Sequence, residues 1–266
     1  MKTVTLARQR ADGLDGAERA ETRGMNPRCF TLARETKSCL NTEEQRRTAN
    51  QFLRKPNFHL MHTARLKFEL GLAVTAWFLV VYVGCDQLTA GSNAPWSVRL
   101  TLDDAIPFLP HLAPVYLSIA FLVYLPLFVI DETSRLVALA LSFAFEIAVA
   151  GTIFLAFPVE ANTHPPGDHG RMFEFLDLAN LTYNSLPSLH VAFAVSAALA
   201  LHGVISSFWR TMLWTWAFLV VASTLLTKQH LIADAIAGGM LGIFAILVVC
   251  PLVQRAIARC VGEKGS

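Results

Sequence analysis

Charged residues are scarce in this sequence: Asp, Glu, Lys and Arg make up 16% of it, against roughly a quarter in soluble domains. A surface wetted on every side is hard to build from so few. With 54% hydrophobic residues and a mean hydropathy of +0.45, a bilayer is the expected solvent. A dominant charge of one sign is also missing: the net charge is only +2, and no basic stripe interleaved with aromatics could track a phosphate backbone. Nucleic acid is therefore excluded as an expected partner. The five cysteines, Cys29, Cys39, Cys85, Cys250 and Cys260, show no CxxC and no Cys/His spacing suited to zinc, and an odd number cannot all pair within one chain. They are read as structural, with no metal and no cofactor expected. The N-terminus has basic residues but no apolar run followed by a small-residue cleavage site, so the first span is expected to direct insertion. No internal repeat is visible.

What is abundant is long apolar runs. A helix needs about 20 mostly apolar residues to cross a hydrocarbon core of roughly 30 Å. Six segments fit, at about 68–85, 112–130, 136–157, 188–206, 209–226 and 231–253. The expected fold class is all-α, an integral membrane six-helix transmembrane bundle. The stretch 209–253 as a single helix would be about 67 Å long at 1.5 Å per residue, twice the membrane. The chain must turn at its only polar break, Thr227-Lys228-Gln229-His230, which puts His230 at an interface.

Lys and Arg flanking the spans set the orientation. With the N-terminus inside, fourteen basic residues before the first span, Arg135, Arg210, Arg255, Arg259 and Lys264 all lie inside; Arg99, Arg171 and Lys228 fall outside. Both termini are thus expected in the cytoplasm, with loops 158–187 and 227–230 together on the periplasmic side of an inner membrane, or the lumenal or exoplasmic side in a eukaryote. Residues 1–60 are polar with charges of both signs and read as a disordered cytoplasmic tail, with Met25 and Met61 as alternative starts. Residues 64–256 form the expected membrane domain and 257–266 a short cytoplasmic tail.

Chemistry is concentrated on the outer side. Asn184-Ser185-Leu186-Pro187-Ser188-Leu189-His190 is a helix-start signal, with proline near the first turn and serines ahead of it. Free N–H groups at such a terminus, joined by the Ser185 and Ser188 hydroxyls, make an anion site beside His190. His230 and Asp234 are four residues apart and share a helix face. An aspartate in a membrane helix costs roughly 2.5–3.5 kcal/mol at the helix centre unless partnered. A hydrogen bond to the His230 imidazole is the expected partnership, fixing the tautomer and leaving the other ring nitrogen as nucleophile. Two histidines starting two helices, one braced by a carboxylate, suit a two-step phosphoryl transfer: His230 attacks phosphorus while His190 serves as acid and base. N–H groups and cations can hold the phosphate oxygens without a metal. Lys228 and Arg171 are the candidate cations, and Ser188 and Ser223 candidate phosphate contacts. The alternative for Ser223 is a back-bond to its own helix; for Lys228, interfacial snorkelling; for Arg171, a loop or headgroup-anchoring charge.

These residues carry a family resemblance. Pro187-Ser188-Leu189-His190 resembles the second signature of the type 2 phosphatidic acid phosphatase family, usually Pro-Ser-Gly-His. Ser223 through Asp234 resembles the third, usually Ser-Arg, five residues, His, three residues, Asp. The resemblance covers roughly residues 66–255. Leu189 replaces the usual glycine and Thr224 the usual arginine, and the first signature, a Lys followed after six residues by Arg-Pro, is not visible. The forms Ser-Leu-Pro-Ser-Leu-His and Thr-Lys-Gln-His look most like the branch that includes inositol phosphorylceramide synthases. The resemblance implies a membrane-embedded lipid phosphate phosphatase working through a phosphohistidine, with a lipid phosphate or phospholipid as substrate. The alternative it implies is headgroup transfer to a lipid alcohol, as in inositol phosphorylceramide or sphingomyelin synthases.

Other polar residues are read more plainly. Glu146, near mid-membrane, lies about 15 Å below the outer end and is expected to be a buried hydrogen-bond partner or protonated acid. His164, Asp168 and His169 sit in a Pro/Gly-rich loop whose spacing fits no strong metal template. Trp96, Trp209, Trp214 and Trp216 are read as interface anchors, and Gly238, Gly239 and Gly242 as sites of close helix packing. The missing first signature motivates a non-catalytic lipid-binding protein or transporter as a rival, and Glu146 a channel. Oligomeric state is not legible.

Overall fold

The computed structural model describes residues 63–90, 96–159, 164–179, 181 and 183–262, and the side chains of these as far as residue 260. The tail at 1–60, with Met25 and Met61, lies outside the described residues. Among those described the chain is helical, its extended pairing limited to two isolated bridges, Trp96 with Val159 and Val159 with Asn184. Five helices are long and apolar enough to span a membrane: α1 (Thr63–Thr89), α3 (Pro110–Val129), α4 (Thr133–Ala156), α7 (Ser207–Leu226) and α8 (Ile232–Cys260). α2 (Thr101–Ala105) and α5 (Arg171–Ala179) are short loop helices.

The fourth expected span is α6 (Leu189–Leu201), apolar but only 13 residues long, or about 20 Å. It starts late because Ser188 takes the N-cap in extended conformation, and it ends in a tight turn through His202 and Gly203. Among the described residues the bundle is therefore six helices, one of which falls short of full membrane thickness. That shortness is tolerable because α6 is the central element, packed on α3, α4, α7 and α8 and buried on most of its faces. An all-round apolar helix of small residues (Ala192, Ala194, Ala197, Ala198) lets its neighbours come close. The tightest approach is from α8. A Cβ on Gly238 would collide with the Ser188 carbonyl, and one on Gly242 would lie 2.5 Å from the Ala192 carbonyl oxygen. These glycines therefore work as the sequence suggests, by admitting backbone to backbone.

The core runs through Leu122, Leu136, Leu139, Phe143, Ile147, Phe154, Phe193, Leu201 and Val220, all buried. Glu146 is fully buried within it and accepts a 2.6 Å hydrogen bond from Ser196 Oγ, which joins α4 to α6. The tryptophans divide. Trp209 is exposed as expected of an anchor, but Trp216 Nε1 donates to Ser118 Oγ at 2.8 Å and Trp214 Nε1 to His202 Nδ1 at 3.2 Å. Those two are read better as ties within the bundle, because an indole N–H in an apolar layer needs a partner.

Candidate active site

The connections α1–α3, α4–α6 and α7–α8 meet at one end of the bundle. Leu109 N–H donates to the Leu226 carbonyl at 2.7 Å and Trp96 N–H to the Pro158 carbonyl at 2.8 Å. Gln229 Nε2 reaches Asp177 Oδ1 at 3.4 Å, which brings the two loops that sequence places together into contact.

The turn from α7 into α8 sets His230. Gln229 and His230 N–H groups both donate to the Thr224 carbonyl at 3.1 Å, and Lys228 N–H to the Leu225 carbonyl at 3.1 Å. These close the C-terminal carbonyls of α7 as a left-handed helix stop does. The left-handed residue is Lys228, with φ of 58°, a conformation usually left to glycine or asparagine. What holds it is Asp103 on α2: Lys228 Nζ donates to the Asp103 carbonyl at 2.7 Å. The Asp103 carboxylate then accepts the Ile232 N–H at 2.9 Å and the Leu100 N–H at 2.7 Å. Asp103 is 1% exposed, and no local pattern in the sequence marks it out.

His190, His230 and Asp234 come together. His230 Nε2 lies 3.4 Å from His190 Nδ1, and His230 Nδ1 lies 3.7 Å from Asp234 Oδ2. The latter is ion-pair range but too long for a hydrogen bond, so the expected partnership takes a different form. Asp234 Oδ2 accepts the Leu231 N–H at 2.8 Å, capping its own helix, and it is this N-terminal position that makes a buried carboxylate tolerable. His230 Nδ1 and Asp234 Oδ1 are both buried without a hydrogen-bond partner. The backbone fixes the frame: Ser188 N–H donates to the Asp234 carbonyl at 3.1 Å, tying the start of α6 to the first turn of α8.

A residue not anticipated completes the group. Tyr116 of α3, buried, places its hydroxyl 3.1 Å from His190 Nδ1, with ring centroids 4.4 Å apart. No sequence signal marks it out among the residues of an apolar span. Its other side packs with Ala113, Phe173 and Leu176, so α5 lies against the outer face of the residue that touches His190.

The expected phosphate contacts behave differently from one another. Ser188 Oγ, fully buried, accepts the Val191 N–H at 3.4 Å as an N-cap. Ser223 Oγ donates to the Val220 carbonyl at 2.7 Å, the back-bond weighed as its alternative. Lys228 is bound to Asp103 as described. Arg171 is exposed at the start of α5. In the neighbouring loop His164 Nε2 pairs with Asp177 Oδ1 at 3.0 Å, and His164, His169, Phe108 and Phe173 form a cluster of rings. Asp168 Oδ1 instead accepts the Gly170 N–H at 2.9 Å. Among the described residues no group of His, Cys, Asp and Glu has the arrangement of a metal site.

Fold and site together define a helical membrane protein with two histidines and a carboxylate gathered at one end of its bundle. The model of the PAP2 superfamily matches residues 136–258, a segment that contains His190, His230 and Asp234 and leaves α1 and α3 outside. This match, to less than half of the chain, is to the superfamily and lends no support to the inositol phosphorylceramide synthase branch in particular. Neither the curated proteins nor the solved structures yield a match.

Proposed function

We propose that the protein is a lipid phosphate phosphatase that works through a phosphohistidine on His230, at the periplasmic or equivalent outer face. The observation that carries this reading is the arrangement of one imidazole between two others' chemistry: His230 Nε2 faces His190 at 3.4 Å while its Nδ1 faces the Asp234 carboxylate. A proton on Nδ1, favoured by that carboxylate, leaves the Nε2 lone pair free to attack.

In the first step His230 Nε2 forms a bond to phosphorus, the bond from phosphorus to the lipid oxygen breaks, and His190 gives that oxygen a proton. In the second, water attacks phosphorus, His190 takes its proton, and the P–N bond breaks with its electron pair returning to His230. Phosphorus bonded to Nε2 cannot share a 3.4 Å gap with a second ring. Substrate must therefore part the two imidazoles. The backbones of α6 and α8 are locked by the Ser188–Asp234 bond and the glycine contacts, so the movement falls to side chains, and Tyr116, whose hydroxyl already meets His190 Nδ1, is the residue that would steady the turned ring. Ser188, Ser223, Lys228 and Arg171 remain the proposed phosphate contacts. No metal enters this mechanism.

Transfer to a lipid alcohol differs only in the second nucleophile. The deciding experiment supplies purified protein with a lipid carrying radiolabelled phosphate, quenches, and looks for an acid-labile, base-stable label on the chain. Label on the wild type and none on His230→Ala is the expected result; turnover undiminished in His230→Ala would reject the reading. Adding diacylglycerol or ceramide separates the outcomes, since free phosphate marks hydrolysis and a new headgroup lipid marks transfer.

A further inference from the structure

An apolar cavity of about 270 Å³ opens directly beside His190 and runs inward between α1, α3, α4 and α6. Its walls are hydrocarbon: Val74, Phe78 and Leu79 from α1, Val123 from α3, Phe143 from α4 and Phe193 from α6. A second cavity, about 700 Å³, continues between α1 and α3 to Lys67 at the opposite end. The two share Thr75, Tyr124 and Leu127 in their linings. There the Thr75 and Tyr124 hydroxyls are hydrogen-bonded to each other across the gap between α1 and α3, and Thr75 Oγ1 also donates to the Gly71 carbonyl at 2.7 Å. This polar crossbar is the boundary between the cavities.

We infer that the inner cavity holds a hydrocarbon tail of the substrate and that the Thr75–Tyr124 crossbar is its floor, setting the longest chain that fits. This rests on the function proposed above. Several observations converge on a chain as occupant. A molecule filling this space has one end at His190, where the phosphate must lie, and the rest against apolar walls that offer no partner to a sugar or peptide. The side toward the bilayer is α1, whose Phe68, Leu72, Leu79 and Val80 are exposed, so a lipid can approach the cavity sideways along that helix. The available depth follows from α3. Tyr116 touches His190 and Tyr124 closes the floor, eight residues further along, or about 12 Å at 1.5 Å per residue. An extended chain advances about 1.2 Å per bond, so roughly ten carbons fit.

The test measures kcat/KM for monoalkyl phosphates from hexyl to octadecyl, presented below their micelle concentrations to the full-length purified protein. Each methylene that enters the cavity from water raises kcat/KM about fourfold, so the wild type should climb and then level near decyl. Tyr124→Ala removes the floor and should move the plateau to longer chains. Ala120→Phe, which fills the same cavity from its lining, should move it to shorter ones and keeps the test open if Tyr124→Ala does not fold. An unchanged plateau in both variants, or no plateau at all, overturns the inference while leaving the phosphatase reading intact. Conversely, a photoactivatable alkyl phosphate that crosslinks to Phe78 or Val123 in protein lacking any turnover supports the pocket and sinks the phosphatase reading. Crosslinking confined to exposed residues of α1 counts against the pocket.

Discussion

Asp103 and Ile232 stand 129 residues apart, and the Asp103 carboxylate accepts the Ile232 N–H at 2.9 Å. Through this bond and the Lys228 ammonium on its carbonyl, a five-residue loop helix braces the turn that carries His230. Asp103→Ala removes the acceptor of the partly buried Ile232 and Leu100 N–H groups, at about 0.5–1.5 kcal/mol for each hydrogen bond lost. The expected outcome is a lowered melting temperature in detergent with a parallel loss of turnover. Asp103→Asn retains an acceptor oxygen and should lie between. A variant with native stability and activity would show that the brace does not matter.

Tyr116→Phe keeps the ring against His190 and removes only the hydroxyl. If the Tyr116 hydroxyl steadies His190 when substrate enters, kcat should drop by about tenfold, corresponding to one hydrogen bond of roughly 1–1.5 kcal/mol, with little change in thermal stability. Unchanged kinetics would mean that the hydroxyl merely fills space.

The contrast between Tyr116 and His230 shows what could be read from the chain and what could not. Periodicity and length locate the helices, and the polar break at 227–230 locates the turn, because a bilayer punishes polar residues everywhere else. Spacing of four brings His230 and Asp234 to one face for the same local reason. Tyr116, Asp103 and the Ser188–Asp234 backbone bond are contacts between distant segments, set by how α2, α3, α6 and α8 pack, and no local pattern encodes them. The form of the Asp234 interaction departs from the expected one for a related reason. As residue N3 of its helix it has a backbone N–H at hand, and that donor wins over the more distant imidazole. Likewise α6 reads as a full span by composition, yet an N-cap at Ser188 and a turn at Gly203 cut it to 13 residues.

Asp234 offers a clean separation of charge from structure. At N3 an amide oxygen can accept the N-cap N–H as a carboxylate does, so Asp234→Asn should preserve the Leu231 N–H bond and keep stability within about 1 kcal/mol. It removes the carboxylate that favours a proton on His230 Nδ1. In serine proteases the analogous carboxylate-to-amide change costs about 10⁴ in kcat, and a loss of about 10²–10⁴ is expected here. Full activity in Asp234→Asn would exclude a carboxylate–imidazole relation as part of the chemistry.

His190 and His230 should fail differently. With an alkyl phosphate, either substitution to Ala is expected to abolish turnover, because departure of an alkoxide needs the proton that His190 gives. With a p-nitrophenyl phosphate ester the leaving group departs unprotonated. His190→Ala should then still form the phosphohistidine and accumulate it, whereas His230→Ala should not be labelled by either substrate. A burst of nitrophenolate matching the protein concentration, followed by a slow steady rate, is the expected record for His190→Ala. A burst in His230→Ala instead would reverse the assignment of nucleophile and acid.

Backbone meets backbone where α8 packs on α6. Gly238 lets α8 rest on the Ser188 carbonyl, and Ser188 in turn starts the helix that presents His190. An added methyl meets backbone, which cannot rotate away, so Gly238→Ala must push α8 from α6 or break the 3.1 Å bond from Ser188 N–H to the Asp234 carbonyl. Overpacking of this kind costs about 1–3 kcal/mol. Gly239, one position on, has only a Val191 methyl at 3.9 Å in the same direction, and Gly239→Ala should instead be neutral or stabilising, since alanine is the better helix former. Thermal unfolding of the two variants side by side in one detergent tests the difference. Separating α8 from α6 also moves His230 from His190, so Gly238→Ala is expected to lose turnover at temperatures where it is still folded, while Gly239→Ala keeps it.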